Sequence, residues 1–147
     1  MNLFSKIGIE EIKFLANFLL ENRNTPGIII KEFGTVSKTN GYGTTFLTPY
    51  DPLFKTFSIH EKEGRVNSIS FGGPKLGLKL LELLSAFKFH TEHYSRYDDA
   101  YEYYFYEKVN SPYIIDIFCK TRLFDGEKVL ENLEVGGITI RLNESEV

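Results

Sequence analysis

Residues 55–73, KTFSIHEKEGRVNSISFGG, contain the pattern that decides the fold. Apolar and polar residues alternate on both sides of Gly64, which is typical of two half-buried strands joined by a tight turn. The apolar members share one face of the predicted hairpin: Phe57, Ile59, Ile69 and Phe71. The polar members share the opposite, wetter face: Ser58, His60, Ser68 and Ser70. We therefore predict an antiparallel hairpin with one face turned toward a core.

Segments with helical spacing lie on both sides of this hairpin. Residues 9–22 repeat apolar side chains every three or four positions, which predicts an amphipathic helix. Residues 75–88 follow Pro74, a residue suited to the first turn of a helix, and their leucines predict a buried helix across the sheet. Residues 27–33, GIIIKEF, are rich in β-branched side chains and predict a short strand.

The remaining segments are less regular. Residues 34–54 hold several Gly and Pro, so they form either a functional loop or a loop with a strand near 44–48. Residues 89–93, FHTEH, are interpreted as a polar loop, and 136–142 as a final strand. Residues 126–134 fit either a short helix or a strand.

A second hairpin is predicted from the tyrosine-rich residues 97–108, YDDAYEYYFYEK, and the apolar segment 113–120. Pairing Val109 with Pro112 sets Tyr104 opposite Ile117 and Tyr106 opposite Ile115. This register places Tyr104 and Tyr106 in the core and turns the odd-numbered rings the other way.

Together these elements predict one α+β domain spanning residues 1–147. Tight hairpin loops favour antiparallel pairing, and the helices are separated from the strands along the chain. We expect an antiparallel sheet built from hairpins, with two main helices packed against it.

Composition narrows the class of protein. The chain has a single Cys, which fits a reducing compartment, and its first residues lack the apolar core of a signal peptide. No apolar run is long enough to span a membrane, so we expect a cytoplasmic protein without membrane contact. The net charge is −3, and residues 76–147 hold 13 Asp and Glu against 8 Lys and Arg. This acidic balance argues against nucleic acid as a partner.

The sequence gives only weak support for a catalytic or metal-binding site. A set of side chains resembles metal ligands: His90, Glu92 and His93, with Asp98 and Asp99 downstream. Because these residues have no fixed geometry in a loop, we expect no metal and no cofactor. His60 lies near Ser58 and Ser70 in the predicted hairpin, yet no orienting acid is evident. We therefore expect no catalytic residue.

The tyrosine-rich segment provides the leading hypothesis for function. Aromatic rings supply contact area in protein interfaces, and neighbouring carboxylates steer a basic partner. The predicted partner-binding residues are Asp98, Asp99, Tyr101, Tyr103, Phe105 and Glu107. They suggest a protein-binding domain, in one version an inhibitor or immunity-type protein that blocks a basic toxin. A helix that covers this face would instead make the rings part of the core.

Two other functions are consistent with the sequence. A small-molecule-binding protein or enzyme could form a pocket near residues 34–54, lined by Tyr42, Tyr50, Asp51 and His60. A structural subunit could instead pair its sheet edges into a homo-oligomer.

Overall fold

The computed structural model describes residues 4–73, 75–95, 100–106, 111–120 and 134–143, and the side chains of these except 93–95, 100–102 and 118–120. The helices in these ranges are α1 (Ile9–Asn22), α2 (Pro26–Phe33) and α3 (Leu80–Ala86). The strands are β1 (Gly34–Thr39), β2 (Thr44–Pro49), β3 (Thr56–Lys62), β4 (Arg65–Gly72), β5 (Phe89–Ser95), β6 (Ala100–Tyr106), β7 (Tyr113–Lys120) and β8 (Gly137–Leu142). Within these ranges, no helix is long and apolar enough to cross a membrane.

All eight strands form one antiparallel sheet in the order β1-β2-β3-β4-β8-β7-β6-β5. The last strand, β8, inserts between β4 and β7. It joins the four strands β1–β4 and the three strands β5–β7 into a continuous sheet. The predicted α+β class, with helices against an antiparallel sheet, is confirmed.

The β3–β4 hairpin has the predicted apolar pairs and faces, with a β-bulge between His60 and Glu61. Phe57 pairs with Phe71 and Ile59 with Ile69, which places their side chains on one face. The turn residues Glu63 and Gly64 both have positive φ, 56° and 78°. Two consecutive left-handed residues are what a two-residue hairpin turn requires to match the strand twist.

Helix α1 also agrees with its prediction. Its N-terminus is closed by the Glu11 side chain, whose Oε1 accepts a hydrogen bond from the Gly8 N–H at 2.9 Å. A stripe spaced three or four residues apart is buried: Ile12, Leu15, Ala16 and Leu19.

The strand predicted at residues 27–33 is wrong, since this segment belongs to helix α2. Pro26 occupies the first turn, where its missing N–H costs nothing. Ile29 and Phe33 lie four residues apart and are buried together, and the Phe33 ring stacks on Phe57 at 4.7 Å between centroids. Tertiary packing thus overrides the weak β preference of the isoleucines.

The helix predicted at 75–88 is shorter than expected. Gly77 has a φ of +72°, which ends any helical turn there, and Leu76 and Leu78 are buried in a non-helical segment. Lys79 forms an isolated β-bridge with Glu134 before α3 begins. The predicted helix start at Pro74 lies outside the described residues.

Most of the described irregular residues form strands. Residues 34–49 make the β1–β2 hairpin, which includes the predicted strand near 44–48. The polar loop predicted at 89–93 is wrong, because these residues belong to β5. The final strand at 136–142 is confirmed as β8, whereas 126–133 lie outside the described residues.

The core lies between the helices and one face of the sheet. Side chains from α1, α2 and α3 form a single cluster with this sheet face. Its strand members include Leu47, Phe57, Ile59, Ile69, Phe71, Tyr103, Phe105, Ile115, Ile117, Ile138 and Ile140. The opposite face, which we call the open face, contributes nothing to this cluster among the residues described.

Candidate functional site

The predicted register of the β6–β7 hairpin is wrong by one residue. Tyr103 pairs with Ile117 and Phe105 with Ile115, whereas the prediction placed Tyr104 and Tyr106 opposite these isoleucines. Because side chains alternate along a strand, a slip of one position exchanges the two faces. Tyr103 is 3% exposed and Phe105 is 0% exposed, so both are core residues rather than an exposed partner-binding patch.

The side chains of the other predicted partner-binding residues are not among those that the structure describes. Asp98, Asp99 and Glu107 are not among the described residues. Tyr101 pairs with Cys119 through its backbone, and its side chain is not described. The structure therefore does not bring the predicted set together on one surface.

The correction moves the aromatic surface to Tyr104 and Tyr106, which are half-buried on the open face. Tyr104 belongs to a row of directly opposed residues that takes one member from each of the eight strands. We call it the cross-strand row: Lys38, Phe46, Ser58, Ser70, Thr139, Asp116, Tyr104 and Thr91. The row runs perpendicular to the strands across the whole width of the sheet.

A cation lies over each aromatic ring of the row. Lys38 Nζ is 5.0 Å from the centre of the Phe46 ring, and Arg141 Cζ is 5.6 Å from the centre of the Tyr104 ring. Five strand spacings separate the two rings, a distance of about 24 Å. Each ring and its cation thus form a cation–π pair near one end of the row.

Polar side chains fill the centre of the row. The Ser70 and Thr139 hydroxyl oxygens are 2.7 Å apart and share a hydrogen bond. Asp116 lies directly opposite Thr139 in the next strand. Asp116 also has contacts within the fold, but a carboxylate can accept hydrogen bonds at both oxygens.

A groove of about 440 Å³ runs beside this polar centre. It exists because Gly72 and Gly137 oppose each other in neighbouring strands and present no side chain to the open face. A Cβ at Gly137 would meet no heavy atom within 4 Å, so this position opens directly into the groove. Asp116 is the charged side chain among the described residues that line the groove.

The groove continues past the ends of the strands. A second depression of about 510 Å³ shares Thr56, Gly72 and Gly136 with the first. Lys55 and Glu134 lie along this extension. The depressions together form an elongated, mixed polar and apolar surface.

The pocket predicted near residues 34–54 is not assembled. His60 pairs with Thr44 at one end of β2, where its Nδ1 is 3.1 Å from the Thr44 hydroxyl. Tyr50 and Asp51 follow the other end of the same strand. Asp51 is buried and structural: it accepts hydrogen bonds from the backbone N–H groups of Leu53 and Phe4.

Within the described part of the chain, no three His, Cys, Asp or Glu side chains are grouped as metal ligands would be. The predicted candidates His90 and Glu92 lie on β5, two residues apart on one face. Asp98 and Asp99 lie outside the described residues.

Comparison with known proteins assigns no family. No protein-family model matches the chain, and neither the curated proteins nor the solved structures contain a significant match.

Part of this surface could have been found from the sequence. Alternation in the β3–β4 hairpin already placed Ser58 and Ser70 on the wetter face. The groove required the pairing of Gly72 with Gly137, two glycines 65 positions apart in the sequence, and no local signal predicts that contact.

Proposed function

We propose that this protein is a binding domain that holds a protein partner on the open face of its sheet. The observation that carries the proposal is the cross-strand row, with an aromatic ring and a cation near each end and a groove between them. Tyr and Arg are the residue types most enriched among the energetically dominant contacts of protein interfaces.

An apolar side chain lies beside the row on the open face. Ile114 is 8% exposed, yet it is not part of the cluster that packs against the helices. Its directly paired neighbour in β8 is Arg141, whose guanidinium extends over Tyr104. Aromatic residues and arginine are enriched at the centres of protein interfaces, so the Tyr104–Arg141 pair beside Ile114 is consistent with a binding surface.

The groove favours a basic side chain from the partner. Asp116 supplies a carboxylate, and the Ser58, Ser70 and Thr139 hydroxyls supply further hydrogen-bond acceptors along the same wall. A lysine or arginine that enters the groove would make charge-assisted hydrogen bonds, which are about twice as strong as neutral ones. The net charge of −3 adds attraction at longer range. An inhibitor or immunity-type protein that blocks a basic toxin fits this chemistry.

The test begins with capture of the partner by the full chain. A photo-crosslinking amino acid at Ser58, on the open face, is compared with the same amino acid at Asn17, exposed on α1. Incubation with a lysate of the native host and mass spectrometry identify proteins crosslinked from Ser58 alone. We expect a basic protein in this set.

Binding of the purified partner is then measured with a matched pair of variants. Gly137→Leu fills the groove, whereas Gly27→Leu adds the same side chain on α2, where a Cβ also meets nothing within 4 Å. We expect Gly137→Leu to weaken binding at least about tenfold, which is 1.4 kcal/mol, and Gly27→Leu to leave it unchanged. Asp116→Asn keeps the shape and removes the charge, and we expect a loss of similar size.

Two results would contradict the proposal. The first is a partner that crosslinks equally from Asn17 and Ser58. The second is a partner whose affinity is unchanged by Gly137→Leu, provided that thermal melting shows the variant to be folded.

A small ligand is the second candidate for the groove. Its volume of about 440 Å³ lies within the range of about 300–1,000 Å³ that small-molecule sites occupy. Native mass spectrometry of protein purified from its host distinguishes the candidates. A retained small molecule that is lost in Gly137→Leu would replace the protein partner in this proposal.

A further inference from the structure

The two edge strands of the sheet differ in how well they are protected. Exposed edges invite pairing with another chain, and proteins block them with bulges, charges or cover. At one edge, the register of β1 shifts between Val36 and Lys38, and the Lys38 side chain lies over Phe46. At the other edge, β5 pairs with β6 through seven consecutive residues without any shift. Only β5 is regular enough to accept another strand along its length.

The outer strand β5 also exposes its side chains. Phe89 is 43% exposed, and His90, Thr91 and Glu92 are exposed as well. Among the described strands, β6 is the single partner of β5. Its outward N–H and C=O groups therefore present a straight edge with hydrogen-bonding capacity.

We propose that β5 pairs antiparallel with β5 of a second copy of this chain, with a two-fold axis at Thr91. A two-fold axis perpendicular to the sheet keeps each side chain on the same face in both copies. Directly opposed residues also share a face, so the residue at the axis must lie opposite its own copy. With Thr91 opposite itself, His90 of each copy lies opposite Glu92 of the other.

Hydrogen-bonding complementarity between opposed side chains selects this register over its neighbours. Moving the axis to Glu92 would set two carboxylates opposite each other, and moving it to His90 would oppose two imidazoles. Two carboxylates directly opposite across strands are destabilising, whereas an imidazole N–H opposite a carboxylate can donate a hydrogen bond to it. The register at Thr91 forms the His90–Glu92 pair twice.

The paired copies would form one continuous sheet of 16 strands from two sheets of eight. Both sets of helices would lie on the same side. Thr91 is also the outermost member of the cross-strand row, so the rows of the two copies would meet end to end. The dimer would double the length of the open face.

A cysteine at the axis tests the register directly. Opposed residues in antiparallel strands have Cα atoms about 4.5–5.5 Å apart, within the range of about 4.4–6.8 Å that a disulfide spans. Two copies of Glu92 would be offset by two residues and lie about 8 Å apart, too far for a disulfide. We expect Thr91→Cys to form a covalent dimer under mild oxidation on non-reducing gels. We expect Glu92→Cys, Ser37→Cys on the opposite edge and the wild type with its single Cys119 to crosslink at least about tenfold more slowly.

Charge exchange tests the same interface without oxidation. His90→Glu sets carboxylates opposite each other, and we expect it to raise the dimer dissociation constant at least about tenfold in sedimentation velocity. The double variant His90→Glu with Glu92→His exchanges the two side chains and should restore most of the wild-type affinity. A wild-type chain that stays monomeric at several hundred micromolar would overturn the proposal. So would a dimer that His90→Glu leaves unchanged, or a Glu92→Cys variant that crosslinks as fast as Thr91→Cys.

Discussion

Adjacent residues on β6 should differ sharply in their contribution to stability. Phe105 is 0% exposed, and its ring centre lies 5.9 Å from that of Phe87 on the helix side of the sheet and 6.0 Å from that of Tyr103. Phe105→Ala removes a fully buried ring and leaves a cavity, so we expect it to lower the free energy of unfolding by about 3–5 kcal/mol. Tyr104 is half-buried on the open face with Arg141 above it, and Tyr104→Ala should cost about 1 kcal/mol.

Urea denaturation followed by circular dichroism measures both variants on the same scale. At roughly 2–4 °C for each kcal/mol in a chain near this length, Phe105→Ala should lower the melting temperature by about 6–20 °C. The corresponding change for Tyr104→Ala should be a few degrees. The comparison is internally controlled, because both substitutions remove one ring from the same strand.

The relative order of the two losses is decisive. If Tyr104→Ala destabilised the protein more than Phe105→Ala, the even-numbered rings would be the buried ones. The β6–β7 register would then be slipped by one residue, and the open face described above would lose its tyrosines.

Two further matched pairs test the fold elsewhere. Gly43→Ala should cost at least about 1 kcal/mol, since Gly43 has a φ of +86° and a Cβ there would lie 2.5 Å from the Glu61 carbonyl oxygen. Gly41→Ala in the same turn should be near neutral, because a Cβ at Gly41 meets no atom within 4 Å; equal losses in thermal melting would contradict the turn geometry. Leu80→Ala should cost about 2–5 kcal/mol because Leu80 is fully buried, and Leu81→Ala should cost less than about 1 kcal/mol because Leu81 is 45% exposed. Equal losses in chemical denaturation would mean that the buried side of α3 is misassigned.

Local patterns in the sequence were sufficient for elements whose partners are near in the chain. The pairing of Phe57 with Phe71 was predicted from the alternation of apolar residues around a short turn at Gly64. A β-bulge beside His60 reconciles this pairing with the two-residue turn. Helix α1 was predicted because its apolar stripe has the helical period and its first turn includes Glu11. In both elements, the period of the apolar residues determines which face is buried.

Tertiary packing decided the segments whose local preferences were weak or divided. Isoleucines favour a strand at residues 27–33, but the chain gains more from packing Ile29 and Phe33 against the sheet as helix α2. Helix α3 is shortened by Gly77 and by a β-bridge from Lys79 to Glu134. The sequence near Lys79 does not predict a partner as distant in the chain as Glu134.

The tyrosine-rich strand β6 shows most clearly what local sequence patterns determine and what tertiary packing decides. Rings occupy consecutive positions from Tyr103 to Tyr106, so either face of β6 could be apolar, and the hydrophobic pattern does not select a register. The choice is made by the neighbouring strands and by Phe87 near the end of α3, which pack against Phe105. The sequence thus determined that this strand is aromatic on both faces. Only the packing of the whole sheet decided which rings stabilise the core and which remain on the open face.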